Sequence, residues 1–307
     1  MSFPPAPRLL RQCRSLRRYS TANRSRPVIA VKHLVSPVPY TAALALQDHL
    51  VTLRTQQRLP NILLLLQHPP TFTAGRRVRG TDDTEGVRLR ATGAEYYETM
   101  RGGQTTFHGP GQLVGYPIFY LPDFGLGVRT YIEQLENVLI TALRAYGIAA
   151  TTTADTGVWV DSSENIGNNS NATNRERKIA ALGIQVRRHV SSHGFALNCD
   201  TDLSWFEHIV PCGLVGKGVT SISHELELAT AAGASASGAR TNVTVAHAIP
   251  YVVNAFGGVF DSSVSPLAGL DAEADQDIDA FVAAKVASTK NISQTEPTVN
   301  NLRTKIK

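Results

Sequence analysis

RGGQTTFHGPGQLVGYP, residues 101–117, holds five glycines, two prolines, one arginine and one histidine. It is too rich in glycine for a helix and too long for one turn. Glycine has no Cβ and reaches positive φ, so such a backbone can pass close to a ligand. Thr105, Thr106 and Phe107 add strand propensity at its centre, which predicts a glycine-flanked strand facing a groove. A dinucleotide fingerprint is set aside. Gly109, Gly111 and Gly115 make G-x-G-x-x-x-G, one residue too long, and Pro110 and Gln112 do not suit a tight helix-opening turn. Taken alone, the stretch also fits a plain Gly/Pro loop around a core histidine.

The flanking chain alternates helices and strands. Residues 28–34 alternate and are β-branched, which predicts a strand, and 40–56 has the spacing of an amphipathic helix. Residues 62–66 form an apolar run, and 62–67 reads as a buried strand halted at His68, Pro69 and Pro70, since proline cannot extend a ladder. Val128, Ile132, Leu135, Leu139, Ala142 and Tyr146 recur at helical spacing, with Glu133 and Glu136 near the start, Arg144 near the end and Gly147 available as the C′ residue. Residues 156–160, 179–187 and 194–198 predict further strands, and 245–256 a closing helix bent at Pro250. Some connections are too short for a crossover helix, so the class is α/β (α+β) with mixed β-sheets and flanking helices. The polar stretch 161–177 and the small-residue stretch 229–241 predict surface loops. Periodicity fades from residue 262, apart from a helical pattern at 277–287, and 262–307 is expected to be a peripheral tail.

Composition narrows the function classes. A chain of 307 residues, 42% hydrophobic and 18% charged, can bury a sizeable core. No apolar run approaches the length of a membrane span. Residues 1–26 carry seven arginines, several serines and no carboxylate, and Arg8, Arg11, Leu9, Leu10 and Leu16 sort onto basic and apolar faces. That is the composition of a mitochondrial transit peptide, and Arg17, Arg18, Tyr19 and Ser20 resemble a matrix-processing site. Cleavage after Tyr19 removes five of the 30 basic residues and leaves 25 against 25 acidic ones. The basic balance thus belongs to the targeting segment, and neither nucleic acid nor a membrane is expected as a partner. The matrix is the expected location, with 27–261 as the catalytic domain.

Cys13, Cys199 and Cys212 are odd in number and far apart, against a disulfide framework. His189 with His193, and His208 with Cys212, stand four apart, but in strand and loop surroundings where such spacing does not converge on a metal. Cys212 lies between a proline and a glycine on what reads as an exposed turn, and Lys178 opens KIAALGIQVRR just before a strand. A lysine beside a cysteine can lower the thiol pKa from about 8.5 and supply a nucleophilic thiolate. Taken singly, either residue also fits an ordinary structural role.

HPPTFTAGRR at 68–77, the opening stretch, KIAALGIQVRR at 178–188, SHGFALNCDTDL at 192–203 and PCGL at 211–214 follow in that order. Together they resemble the octanoyltransferases of lipoate biosynthesis over roughly residues 28–260. The resemblance implies the α/β catalytic domain shared with biotin and lipoate protein ligases. It also implies octanoyl transfer from acyl carrier protein to a lysine of lipoyl domains of 2-oxoacid dehydrogenase complexes or of glycine cleavage H protein. It makes Cys212 the residue that carries the acyl thioester and Lys178 the lysine that lowers its pKa. Arg101, Gly102, Gly103, Gln104, Thr105, Thr106, Phe107, His108, Ala181, Leu182, Gly183, Gly194, Phe195 and Ala196 then form the acyl pocket, with no metal and no cofactor. Gly102, Gly103, Gly183 and Gly194 would let backbone N–H donors approach the reacting carbonyl. Lys178, His108 or His193 would take the acceptor's proton. A lipoate-protein ligase, a lipoyl amidotransferase or a non-catalytic carrier-binding subunit would share the fold. The polar stretch ending at Arg177 is longer than this family usually carries and lands directly before Lys178.

Overall fold

The computed structural model describes residues 26–80, 83–161, 176–210, 217–233 and 241–293. Strand β1 (Val28–His33), helix α1 (Tyr40–Thr55) and strand β2 (Asn61–Leu66) form a β-α-β unit whose strands run parallel, with Ala30 opposite Ile62. Every residue of β2 is buried, as its unbroken apolar run requires.

The chain then builds a small sheet from β3 (Thr71–Ala74), β4 (Glu95–Glu98) and β5 (Thr106–His108), in the order β4-β3-β5, with α2 (Asp83–Arg90) between β3 and β4. Here the opening stretch departs from expectation. It is two strands in two sheets, because β6 (Gln112–Ile118) re-enters the large sheet beside β2. The break falls at Gly109, Pro110 and Gly111. Pro110 cannot donate to a ladder. Gly111 sits at φ +78, where a Cβ would lie 2.3 Å from the Asp200 carbonyl oxygen. Only glycine fits that crossing.

Helix α3 (Val128–Arg144) buries Tyr131, Leu135, Val138, Leu139, Ala142 and Leu143. It ends in a turn with Gly147 at φ +72, the Gly147 N–H donating to Arg144 and the Ile148 N–H to Leu143, the pairing of a left-handed cap. Next come β7 (Ala150–Thr151), β8 (Val158–Asp161), β9 (Glu176–Arg187), β10 (Val190–Asn198) and the short β11 (Gly218–Val219). Strands β9 and β10 form a hairpin turned by Arg188 and His189, at φ 49 and 65. The two positive φ angles match the strand twist, although neither residue is glycine. Strand β9 begins earlier than expected, so Lys178 lies within it, and β10 begins at Val190, so His193 lies on a strand and His189 in a turn.

Helices α4 (Ile222–Ala231) and α5 (Val245–Val259) follow, Pro250 standing inside α5. The segment from 262 does not hang free over its described part. Strand β12 (Ser263–Pro266) pairs parallel with β1, and α6 (Leu267–Leu270) and α7 (Ala272–Ser293) bring Leu267 and Ile278 into the core. Lys32 of β1, itself buried, meets Asp275 and Asp279 of α7 at 2.9 and 2.8 Å. The partner of β12 is the first strand of the chain, a pairing that local periodicity does not reveal.

Among the described residues the large sheet runs β12-β1-β2-β6-β10-β9-β8-β7, with β11 pairing β9 and both parallel and antiparallel neighbours. One face packs on α3 and α5 through Phe119, Leu135, Leu139 and Phe256, and the other on α1 and α7 through Leu46, Leu50 and Ile278. Residues 1–25 of the predicted transit peptide, nearly all of the 161–177 stretch, residues 234–240 and Cys212 lie outside the described residues. At the margins of the two predicted loops, Asp161, Glu176 and Arg177 are strand and 229–231 are helix.

Candidate active site

Where the small sheet meets the large one, a cleft of about 440 Å³ opens between the 101–104 loop, β5, β9 and β10. Arg101, Gly103, Gln104, Thr106, His108, Ala181, Leu182, Gly183, Gly194, Phe195 and Ala196 line it, together with Tyr40, Tyr116 and His193. Eleven of the fourteen acyl-pocket residues named from the sequence are therefore brought together. The other three stand behind the wall. The Phe107 ring, between Thr106 and His108 on β5, points the other way and stacks on Trp205 at 5.1 Å. The Thr105 hydroxyl donates to Glu85. The Gly102 N–H donates to the Ile184 carbonyl at 3.0 Å, so it is not free to serve as the carbonyl donor expected of it. Tyr40 escaped the sequence reading because α1 carries it in from a remote segment with no motif of its own, and Tyr116, although inside the opening stretch, because it lies on β6 beyond the break at 109–111.

Arg101 is the structural centre of this wall. Its side chain is buried, and its guanidinium donates to the carbonyls of Gly102, Thr73 and Gln104 and to the Thr73 hydroxyl. It ties the loop to β3. Gly183 lets the loop seat on β9, since a Cβ there would lie 2.7 Å from the Gly102 carbonyl oxygen. Arg101→Lys keeps the charge but loses the planar fork. We expect it to lower stability by about 2–4 kcal/mol, the cost of leaving buried carbonyls without donors, read as a shifted urea midpoint. An unchanged midpoint would refute the bracing role.

The histidines of the cleft are neutral. His68, just behind it, has Nδ1 at 2.6 Å from the Val38 carbonyl and Nε2 at 2.7 Å from the Tyr116 hydroxyl. The carbonyl can only accept, so Nδ1 carries the proton and the tyrosine donates to Nε2. His108 donates from Nδ1 to Gln112 and accepts at Nε2 from Thr73, because the Gln112 amide nitrogen already donates elsewhere. Burial pushes the pKa of His68 down to about 4 and of His193 down to about 3, with the Arg101 and Arg187 charges adding to the latter, and it holds His108 well below the usual value. The same burial pushes Tyr40 up to about 12 and Tyr116 well above its ordinary range. Arg101 is the one charged group in this lining, its guanidinium turned to backbone carbonyls, and the other lining residues are neutral. Such a surface suits an acyl chain better than an anion.

Lys178 stands three residues before Ala181 on β9, just beyond the cleft. It is 5% exposed, and its Nζ donates to the Thr156 carbonyl at 3.2 Å and lies 4.6 Å from the centre of the Trp159 ring. Strand β11 places Val219 opposite Lys178, and the Thr220 N–H donates to the Lys178 carbonyl at 3.0 Å. The chain thus returns to Lys178 shortly after Cys212. Cys199 is fully buried, and burial pushes its thiol up to about 12, the behaviour of a core residue and not of a nucleophile. A second cavity, about 520 Å³ between α1 and α7, is lined mainly by leucines with Ile278 and Phe281 and offers no nucleophile.

Residues 39–257 match the model of the lipoyl protein ligase A/B catalytic domain. The chain is 46% identical over 192 residues to octanoyl-[acyl-carrier-protein]:protein N-octanoyltransferase LIPT2, mitochondrial, of Danio rerio, covering 62% of this chain and 80% of that one. It is 42% identical over 205 residues to the octanoyltransferase of Rubrobacter xylanophilus, covering 66% and 86%. A solved lipoate-protein ligase A bound with ATP superimposes with a TM-score of 0.56 at 12% identity, over 85% of this chain and 94% of that one, which shows the shared fold. With the family model spanning most of the chain and the same mixed sheet beneath it, this protein belongs to the lipoyl protein ligase A/B catalytic domain family.

Proposed function

We propose that this octanoyltransferase of protein lipoylation holds an octanoyl chain in the cleft and carries it as a thioester on Cys212. The donor is octanoyl-acyl carrier protein. The acceptor is a lysine of a lipoyl domain, in 2-oxoacid dehydrogenase complexes or in glycine cleavage H protein. One observation supports this above the rest: β9 lines the cleft with Ala181, Leu182 and Gly183 and carries Lys178 three residues earlier, opposite Val219, to which the chain returns after Cys212.

The chemistry divides into two exchanges. The Cys212 thiolate attacks the donor thioester, a C–S bond forms, and the carrier's thiolate leaves with its electron pair. Thioester replaces thioester, so this half is nearly balanced and needs no ATP. The neutral amine of the acceptor lysine then attacks the Cys212 thioester, the thiolate leaves, and an amide forms downhill. The nitrogen must lose a proton. His108 has both ring nitrogens engaged, which leaves His193, or Lys178 in its neutral form once it has passed its proton to the departing carrier thiolate. Lys178, as an ammonium, favours the thiolate in the first half.

The eleven lining residues contact the acyl chain, while Gly102, Thr105 and Phe107 shape the wall from behind. The protein is mitochondrial, as its Danio rerio relative is, and residues 1–26 serve as the import signal of a catalytic domain that begins at residue 27.

Incubation with octanoyl-acyl carrier protein in the absence of ATP tests the reading. We expect the intact mass to rise by one octanoyl group and that group to pass to an added lipoyl domain. Transfer that appears only when free octanoate and ATP are supplied would replace it with a ligase.

A further inference from the structure

The mechanism assigns Lys178 a charge but not the means of holding it. A flexible four-carbon stem loses considerable rotamer freedom when it is fixed, so something must keep the ammonium in one place. No carboxylate forms an ion pair with Lys178 among the described residues. Its Nζ has two neighbours instead, the Thr156 carbonyl and the face of Trp159.

Trp159 is built for that contact. It is 1% exposed, and its indole N–H donates to the Asp155 carbonyl at 3.0 Å, which fixes the plane of the ring. Lys217 lies over the same ring, also at 4.6 Å, so one indole serves two cations. The second cation is neutralised on the spot. The Lys217 Nζ meets Asp155 at 2.7 Å and Glu176 at 2.6 Å, and these partners raise its pKa. Its charge therefore does little to repel Lys178. Gly157, at φ +136, leaves the stem its room, because a Cβ there would lie 3.1 Å from the lysine Cε. From α3, Glu136 accepts the Gly157 N–H at 2.9 Å, its pKa raised by burial and drawn back by that bond and by Lys178.

We propose that Trp159 is a positioning residue, a π-platform that holds the Lys178 ammonium where it acts on the nucleophile, with Lys217 and its two carboxylates locking the platform to β9. The inference rests on the proposed pairing of Lys178 with Cys212. An ammonium over an indole is attracted by the negative face of the ring, most strongly when both are withdrawn from water. A carboxylate in the same place would bind Lys178 more tightly and cancel the charge that the thiolate needs. The indole fixes the cation and leaves its charge intact.

The test compares the pH dependence of octanoyl transfer in the full-length protein. In Trp159→Met, which keeps bulk without a π-face, kcat should fall about 10-fold with KM for both substrates within about twofold, and the acidic limb of kcat/KM should move to higher pH by about one unit. In Trp159→Phe, which keeps a weaker π-face, most of the rate and the limb should return. Mono-, di- and trifluorotryptophan at position 159 weaken the ring face at nearly constant shape, so the rate should fall stepwise with fluorination even if Trp159→Met does not fold. A flat response to fluorination, or equal losses in Trp159→Met and Trp159→Phe, would overturn the platform. Lys178→Ala, measured in parallel, separates the two readings. A limb that it moves and fluorination does not overturns the platform alone, whereas a limb that Lys178→Ala leaves in place overturns the catalytic role of Lys178 beneath it.

Discussion

Cys212→Ser is expected to lower octanoyl transfer by about a thousandfold or more, the scale seen when a covalent nucleophile is removed. A serine hydroxyl stays protonated where a thiol beside an ammonium ionises. Acylation of serine would also exchange a thioester for an ester that is slower to give its acyl group to an amine. No other described thiol can step in. Cys199 is enclosed in the core with its pKa pushed up to about 12, so Cys199→Ala should leave transfer within about twofold of the parent. Single-turnover transfer from octanoyl-acyl carrier protein measures both. A Cys212→Ser rate within about tenfold of the parent would mean that the acyl group passes directly from carrier to acceptor, and the covalent intermediate would be abandoned.

Acidification should destabilise the protein well before its carboxylates titrate. His68 and His193 are neutral in the folded protein with pKa values of about 4 and about 3, against 6.5 for an unperturbed imidazole. Between those values the unfolded chain binds a proton that the folded chain refuses, so stability falls as pH falls below about 6.5. From pH 7 to pH 5 each histidine costs about 2 kcal/mol, and the pair about 4 kcal/mol. That is a large share of the stability of an ordinary domain. Urea midpoints across this range should follow the slope, to which buried His108 adds, and His68→Gln should reduce the total loss by about 2 kcal/mol. A midpoint constant from pH 7 to pH 5 would show that the imidazoles are solvated or already charged.

The parts of the fold that could be read from the sequence are those fixed by local pattern. Strand β2 carries a five-residue apolar run, 62–66, halted by two prolines shortly after, and α3 repeats its apolar residues over more than four turns. The parts that could not be read depend on remote partners or on backbone geometry that residue type does not announce. The β9–β10 turn uses Arg188 and His189 at positive φ, where asparagine and glycine are the usual signal. Strand β12 is marked only by its pairing with β1. The site divides in the same way. The motifs gave a stretch of chain, and the alternation along β5 decided which members face the cleft, turning Thr106 and His108 inward and Phe107 outward. Glu136, expected to complement the helix dipole near the start of α3, is instead buried against Gly157.

The pairing of β12 with β1 also sets where this molecule ends as a physical object. The family match closes at residue 257, yet among the described residues the backbone groups of β1 on that side pair with β12, which follows it. A chain cut at the domain limit would present β1 as an open edge, free to recruit a strand from another copy. It would also strip Asp275 and Asp279 from the buried Lys32 ammonium and leave an uncompensated charge beside that edge. The C-terminal segment thus completes the β1 side of the sheet and balances the Lys32 charge, and a chain cut at residue 257 is expected to lose stability on both counts.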